Sequence, residues 1–328
     1  MVDVARAANV SVGTVSNVVS GARNVRPETR ERVELAIAEL GFRPNTIARA
    51  LIRRRTTTVG MVIPDVTNPF FSDLIWEVER ALADADYAVV FGNSANDPAR
   101  ERRYLEAFLS RRVDALVVVV TAGADLDFVR GLAAEVPTVF VDRLVPPEVE
   151  SVVGDNGAGM TLVVDHLVEL GHRRLALVNG DEGLETTRAR EAGVDAALAR
   201  HGLELVARSS GVFTLESGDA QARQLLAGSA PTAVVAANDL LAMGVLSAAA
   251  RAGLSIPEDL SVTGYDDIAY ASFTAPPLTT VCQPARAMGE EAVRLLLARL
   301  EGDEGPPRRV VVEPELRERA STGPPGRH

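Results

Sequence analysis

The residues able to do chemistry in this sequence fall into two groups with different tasks. Near the front, Ser11, Thr14, Ser16 and Asn17 place three hydroxyls and an amide within seven residues, interleaved with the small side chains of Val12 and Gly13. Uncharged donors and acceptors on small residues suit close approach to base edges, and no acid stands among them to repel phosphate. The second group is scattered but falls just after apolar runs: Phe70 and Phe71, Asp142 and Arg143, Asn238, and Asp266, with Phe213 at the end of another run and Arg190 early in a helix. In open parallel sheets a ligand sits outside the carboxyl ends of the strands, where these residues would lie. Neither group has the spacing of an enzyme. There is no nucleophile elbow and no phosphate-binding glycine loop, Gly180-x-x-Gly183 is too sparse, and the histidines at 166, 172, 201 and 328 form no HExxH pair. The single cysteine, Cys282, excludes a disulfide framework and a cysteine-based zinc site, so no metal or cofactor is expected.

Charge separates the same two groups. The net charge of −11 looks wrong for a nucleic-acid binder until it is divided. Residues 1–55 hold ten Arg against five acids, a surplus of +5, which leaves −16 on the remainder. A basic head on an acidic body fits a protein that meets phosphate at one end only. Lysine is absent, so every basic contact is arginine, which we read as composition bias.

The elements that must position the first group are two short helices and a tight turn. Val4, Ala5 and Ala8 give the first helix an apolar face, and Asn9 stands where the chain leaves it, as one of the few residues that tolerate the left-handed conformation. Ser11 offers a cap to a second helix whose buried face is Val15, Val18 and Val19. Its outer face is then Val12, Gly13, Thr14, Ser16 and Asn17, the arrangement of a helix-turn-helix with an exposed recognition helix. A third helix runs from Pro27 to Gly41 over a stripe of Val33, Ala36, Ile37 and Leu40, with Phe42 packing beneath. Asn45 to Ile52 reads as one more short helix, too poor in apolar surface to stand without a partner copy and DNA.

From Thr58 onward continuous apolar strands alternate with helices, which means parallel sheets covered on both faces. The alternation restarts after Asp155, giving two similar lobes in tandem. The mature-start region carries Asp3 and Arg6 where a secretory h-region would be apolar, and the longest apolar run, Ala115–Val120, is far short of a bilayer. The expectation is a cytoplasmic protein, nucleoid-associated when its head is bound to DNA.

In order and in register, the chain resembles the lactose-repressor/galactose-repressor family of bacterial regulators. The resemblance is carried by Asp3-Val4-Ala5, Val10-Ser11, Thr14-Val15-Ser16, Val25-Arg26-Pro27-Glu28-Thr29-Arg30, Leu40-Gly41-Phe42-Arg43-Pro44-Asn45 and Ala48-Arg49-Ala50-Leu51. It continues through Asp65-x-x-Asn68-Pro69-Phe70-Phe71, Asp142-Arg143, Gly171-His172-Arg173-Arg174, Asn238-Asp239, Gly264-Tyr265-Asp266-Asp267 and Pro277-Leu278-Thr279-Thr280.

The resemblance implies an all-α helix-turn-helix head over 1–44 and a hinge helix with linker over 45–57. A two-lobed, periplasmic-binding-protein-like (type I) α/β core follows, with 58–154 and 285–303 in lobe one and 155–284 and 304–328 in lobe two. It implies DNA contacts from Ser11, Val12, Gly13, Thr14, Ser16, Asn17, Arg26, Asn45 and Ala48, with Leu51 wedging into the minor groove. It puts an effector against Phe70, Phe71, Arg190, Phe213, Asn238 and Asp266, and Asp142 and Arg143 join them by strand-end position. Carboxylates, an amide and guanidinium groups pair with adjacent hydroxyls while Phe faces cover a ring, which favours a sugar over a purine. Asp239 is expected to cap a helix, Trp76 to pack or meet another subunit, and Arg188 to be surface.

Some positions depart from the family. The chain begins almost at the first helix, without the Ser or Thr cap that usually precedes it, so either that helix is uncapped or the true start lies upstream. Asn17 replaces a common arginine, which favours adenine over guanine. The expected function is a homodimeric repressor of a palindromic operator, answering to a small molecule. The competing readings are a cytoplasmic solute-binding protein and a regulator answering to a protein co-regulator.

Overall fold

Two helix ends in the head are closed by the same device. Helix α1 (Val2–Ala7) stops at Ala8, and Asn9 turns left-handed at φ 52° so that Val10 N–H bonds Ala5 O at 2.9 Å. Helix α3 (Pro27–Glu39) stops at Leu40, Gly41 takes φ 57°, and Phe42 N–H returns to Ile37 O at 3.0 Å. Both are Schellman closures, with a residue that tolerates positive φ followed by an apolar one folded back. Between them α2 (Val12–Val19) starts at Ser11, whose Oγ accepts from Thr14 N–H at 3.1 Å. Val4, Ala5, Ala8, Val15, Val18, Val33 and Ala36 form the head's buried core, with Phe42 packed against it. Leu40 does not belong to it: it is half-exposed, because α3 has already ended and the Gly41 reversal delivers Phe42 to the place Leu40 was expected to fill.

The computed structural model describes residues 1–19, 25–42, 55–143 and 145–326. The chain divides into a unit of Met1–Thr58 and a unit of Val59–His328.

The larger unit is built on two six-stranded sheets. The first contains β1 (Thr58–Ile63), β2 (Ala88–Asn93), β3 (Ala115–Val118), β4 (Thr138–Val141), β5 (Glu150–Gly154) and β11 (Arg309–Val312), in the order β11-β5-β4-β3-β1-β2. The second contains β6 (Leu175–Asn179), β7 (Ala207–Ser210), β8 (Ala233–Ala236), β9 (Ser261–Asp266), β10 (Thr279–Cys282) and β12 (Glu315–Arg317), in the order β12-β10-β9-β8-β6-β7. Strand β3 pairs parallel with β1 and β4, and β8 pairs parallel with β6 and β9. Strand β12 alone among the registered pairs runs antiparallel, beside β10.

Helices α4 (Pro69–Ala83), α5 (Pro98–Ser110), α6 (Leu126–Glu135) and α11 (Ala285–Leu300) belong to the first lobe, α11 lying against α4 and β3 to β5. Helices α7 (Asn156–Glu169), α8 (Glu185–Arg200), α9 (Leu215–Gly228) and α10 (Asp239–Arg251) cover the second. The central strands are buried runs such as Val59–Ile63 and Ala233–Ala236, as parallel strands sandwiched between helices must be, whereas the edge strands β2, β7, β11 and β12 are partly exposed.

Three sequence expectations need correction. Arg309–Val312 pairs with β5 in the first sheet, so residues 304–328 do not all join the second lobe. The chain leaves α11 on the first lobe and has only a short turn before Arg309, so it adds to the nearest sheet edge. It crosses afterwards, and the unforeseen β12 is what reaches the second sheet. Glu150–Gly154 is a strand that the sequence reading did not assign, since it opens on Glu150 and Ser151 and offers only Val152 and Val153 as an apolar run. Finally, β7 ends at Ser210, Gly211 N–H makes the last bond to Asn179 O of β6 at 3.2 Å, and Phe213 lies in the turn beyond. Among the described residues no helix is long and apolar enough to cross a membrane.

Candidate functional site

In each sheet the strand order reverses beside the first strand of the lobe, β1 against β3 and β6 against β8. Such switch points leave a crevice at the carboxyl ends of the strands. The turns leaving these strands line one cleft between the lobes, with an empty volume of about 730 Å³ including its mouth. Phe70, Phe71, Asp142, Arg143, Arg190, Phe213, Asn238 and Asp266 all line it. So do Asp65, Asn68, Asn96, Asp181, Leu184, Thr186, Val212 and Thr214, which were not singled out from the sequence. Strand ends were the signal available for Asp65 and Asp181, since one follows β1 and the other β6.

Arg190 is the centre of the polar network. It is 4 % exposed on α8, and its guanidinium lies 3.8 Å from the Tyr265 ring centroid. It donates to Asn156 Oδ1 at 2.7 Å and Ala237 O at 2.6 Å, and more loosely to Asp266 Oδ1 and Gln283 Oε1, both at 3.4 Å. Gln283 in turn donates its amide N–H to Asp142 Oδ1 at 2.8 Å. Sequence reasoning missed Gln283, although it directly follows β10.

On the facing lobe Arg143 donates to Val120 O at 2.5 Å and stands 4.0 Å from Asp142 Oδ2. A second acid behind it, Glu101, is buried and accepts Thr121 N–H at 2.6 Å.

These groups are buried at some electrostatic cost. Burial raises the Asp142 carboxyl above its ordinary range, against the pull of Arg143 and Arg190. Burial likewise pushes Asp266 up to about 7, with Arg190 opposing and Asp142 adding to the rise. Arg143 is lowered by burial, partly offset by Asp142 and Glu101.

Apolar faces complete the cleft. Asn68 caps α4 by accepting Phe70 N–H at 3.1 Å, which fixes Phe70 and Phe71 in the first turn, packed edge to face at 5.3 Å. Phe213 stands over Gly180: a Cβ built on Gly180 would lie 2.1 Å from Phe213 Cζ. Gly180→Ala must therefore tilt the Phe213 ring towards the open side, which is the cleft. We expect ligand affinity to fall about tenfold with little change in thermal stability, because the ring is only half-buried. A titration giving wild-type affinity would refute this.

Asn238 lines the cleft as expected and also takes the cap expected of Asp239. Asn238 Oδ1 is the cap of α10, accepting Leu241 N–H at 2.9 Å, while Asp239 is fully buried and bonds elsewhere. The reason is direction: the cap position precedes the first helical residue, and that position is 238.

In the head, Val12 and Gly13 are exposed with Ser11 and Asn17, and Thr14 and Ser16 are half-buried beside them on α2. Ser11 and Thr14 hydroxyls bond one another at 2.9 Å. Arg26 is exposed at the start of α3. Asn45, Ala48 and Leu51 lie outside the described residues.

Comparison with known proteins agrees with this arrangement. Residues 1–45 match the family described as bacterial regulatory proteins, lacI family, and residues 164–322 match the periplasmic binding protein-like domain. The ribose operon repressor of Escherichia coli (strain K12) is 37 % identical over 98 % of this chain and 99 % of its own. The lac repressor dimer bound to operator and the anti-inducer ONPF superposes with a TM-score of 0.90 at 31 % identity, covering 98 % of both chains. A LacI family regulator from Enterococcus faecium with bound ribose gives 0.75 at 30 % identity, covering 81 % of this chain and 99 % of that one. A chain that aligns over nearly its whole length with such relatives, head and core alike, belongs to the lacI family of bacterial regulatory proteins and is a DNA-binding transcriptional regulator.

Proposed function

We propose that this regulator is a homodimeric repressor whose operator affinity is set by a neutral, unphosphorylated monosaccharide held in the cleft, with a pentose such as D-ribose as the first candidate. The supporting observation is the row Asp142, Gln283, Arg190, Asp266, flanked by Phe70, Phe71 and Phe213. Alternating acceptors and donors in one line pair with vicinal hydroxyls, and the rings cover the apolar face of a sugar. The ribose operon repressor and the ribose-bound structure among the relatives point to the same ligand class.

Asp142, Arg143, Arg190, Asp266, Asn238 and the three Phe are read as effector contacts. Ser11, Val12, Gly13, Thr14, Ser16, Asn17 and Arg26 are read as the DNA-facing set, with Asn45, Ala48 and Leu51 beyond them. The dimer follows the operator-bound relative, and Trp76, 65 % exposed on α4, is the kind of side chain a second copy would cover.

The charge of the cleft favours free over phosphorylated sugars. Asp65, Asp142, Asp181 and Asp266 line it against only Arg143 and Arg190, and both guanidiniums already have protein acceptors. A phosphate would enter beside Asp65 and Asp181, with Asp142 and Asp266 adding repulsion wherever they ionise, and like-charge juxtaposition costs several kcal/mol. Calorimetric titration of the full chain should show D-ribose binding and ribose 5-phosphate weaker by about a hundredfold or more. Tighter binding of the phosphate would overturn the charge argument. No binding of any neutral sugar, with operator binding intact, would overturn the effector assignment and favour a protein co-regulator.

A further inference from the structure

Asp239 adjoins the cleft without lining it and is fully buried. Its Oδ2 accepts Ile268 N–H at 2.8 Å and its Oδ1 accepts the Thr280 hydroxyl at 2.6 Å. Strand β9 carries Gly264 opposite it, where a Cβ would come within 2.1 Å of Oδ1. One side chain therefore joins the start of α10, the turn after β9, and β10.

That turn is an unusual one. Asp266 and Asp267 both have positive φ, 104° and 53°, conformations that residues with a Cβ adopt only when their surroundings hold them there. The surroundings are identifiable. Arg319 donates to Asp267 Oδ1 at 2.6 Å, and Asp239 holds the N–H of Ile268. The Ile268 side chain is buried in the first lobe's apolar cluster with Phe70 and Phe71. On the other side of Asp239, Asn238 Oδ1 accepts Leu241 N–H of α10, and the Asn238 side chain is close enough to Asp266 to pull its raised carboxyl pKa back down in part. The turn thus carries a cleft carboxylate at one end and a lobe-to-lobe apolar contact at the other.

We propose that Asp239 is a positioning residue for effector recognition, fixing the spacing at which Asn238 and Asp266 meet a ligand by tying α10 to the Asp266–Ile268 turn and to β10. This rests on the reading of the cleft as a sugar site. A side chain with two acceptors suits the task, because it spans two donors on separate segments. Asparagine would also serve, since its oxygen can take Ile268 N–H while its amide donates to the Thr280 hydroxyl, which works in either direction. Burial, with Asp266 close by, raises the Asp239 carboxyl well above its ordinary range, and a protonated Asp239 would donate to Thr280 as asparagine does.

The test is a D-ribose titration of variants of the full chain. Asp239→Ala should weaken binding by about tenfold or more, Thr280→Val by about threefold, and Asp239→Asn should stay within about threefold of wild type. The rescue by Asn separates positioning from charge. A double-mutant cycle separates it from general loosening: with Asp266→Asn already present, Asp239→Ala should cost less than about twofold, whereas unrelated structural damage would add in full. Should Asp239→Ala fail to fold, Thr280→Val and Asp239→Asn carry the decision. Wild-type affinity in Asp239→Ala or Thr280→Val, or additive losses in the cycle, would overturn the proposal alone. Wild-type affinity in Asp266→Asn would overturn the cleft reading and this proposal with it.

Discussion

Arg190→Met should abolish the response to effector and leave a less stable core. The guanidinium is the common partner of Asn156, Ala237 O, Asp266 and Gln283, and each would lose it without access to water. Truncating one member of a buried, hydrogen-bonded charge pair costs about 2–5 kcal/mol of binding, about thirtyfold or more in Kd. Folding stability should fall by roughly 3 kcal/mol, because the carbonyl and carboxyl groups stay buried unpaired. Arg190→Lys should recover little, since an ammonium cannot spread over four acceptors in the plane above Tyr265. Denaturant unfolding and a D-ribose titration read the two losses separately. An Arg190→Met protein with wild-type affinity would remove Arg190 from the binding account altogether.

The second large effect is a pH dependence with opposite signs for stability and binding. In the empty cleft the Asp266 carboxyl is raised to about 7 from an ordinary value of 3.8. The folded protein then holds a proton that the unfolded chain has released, so stability of the empty protein falls as pH rises between about 4 and 7. Sugar hydroxyls donating to Asp266 favour its charged form and draw that pKa down. Affinity should therefore rise with pH up to about 7 and level off above it, losing up to about tenfold per unit on the acid side. Binding should release close to one proton at pH 6, visible as a buffer-dependent heat. Asp266→Asn should flatten the profile. An affinity that improves on acidification would mean that Asp266 binds the ligand as a neutral donor.

The sequence made the helical head and the alternation of the core legible because both are local patterns. Asn9 and Gly41 announce their left-handed turns by type, and Val59–Ile63 or Ala233–Ala236 are too continuous to be anything but buried elements. The eight cleft residues chosen beforehand share one cleft because the strand-end rule is a statement about topology, which the alternation already implied. What escaped was non-local. Gln283 stands at a strand end, directly after β10, but its importance comes through partners 93 and 141 residues away, Arg190 and Asp142. Strand β5 offers only two consecutive apolar residues, Val152 and Val153, and β11 and β12 divide the C-terminal run between two sheets for reasons of where α11 leaves the chain. Asp239 was read as a cap because both it and Asn238 are cap-forming types, and only the backbone decides which of two neighbours precedes the helix.

The division of β11 from β12 has a mechanical side. The chain passes from lobe to lobe at Asp155, at Gln283–Pro284 and at Glu313–Pro314, each one or two residues long. These passages lie side by side, for Asp155 N–H bonds Val312 O at 3.1 Å and Gln283 Oε1 reaches within 3.1 Å of a Cβ built on Gly154. Short parallel ligaments fastened in a row behave as a flexure: they bend about the line through them and resist both shear and twist. The lobes then have one soft coordinate, the opening angle, and the Arg190–Gln283–Asp142 chain lies at its fulcrum. A small displacement of polar atoms there is magnified at the far edges of both lobes, as at the tips of a pair of tongs.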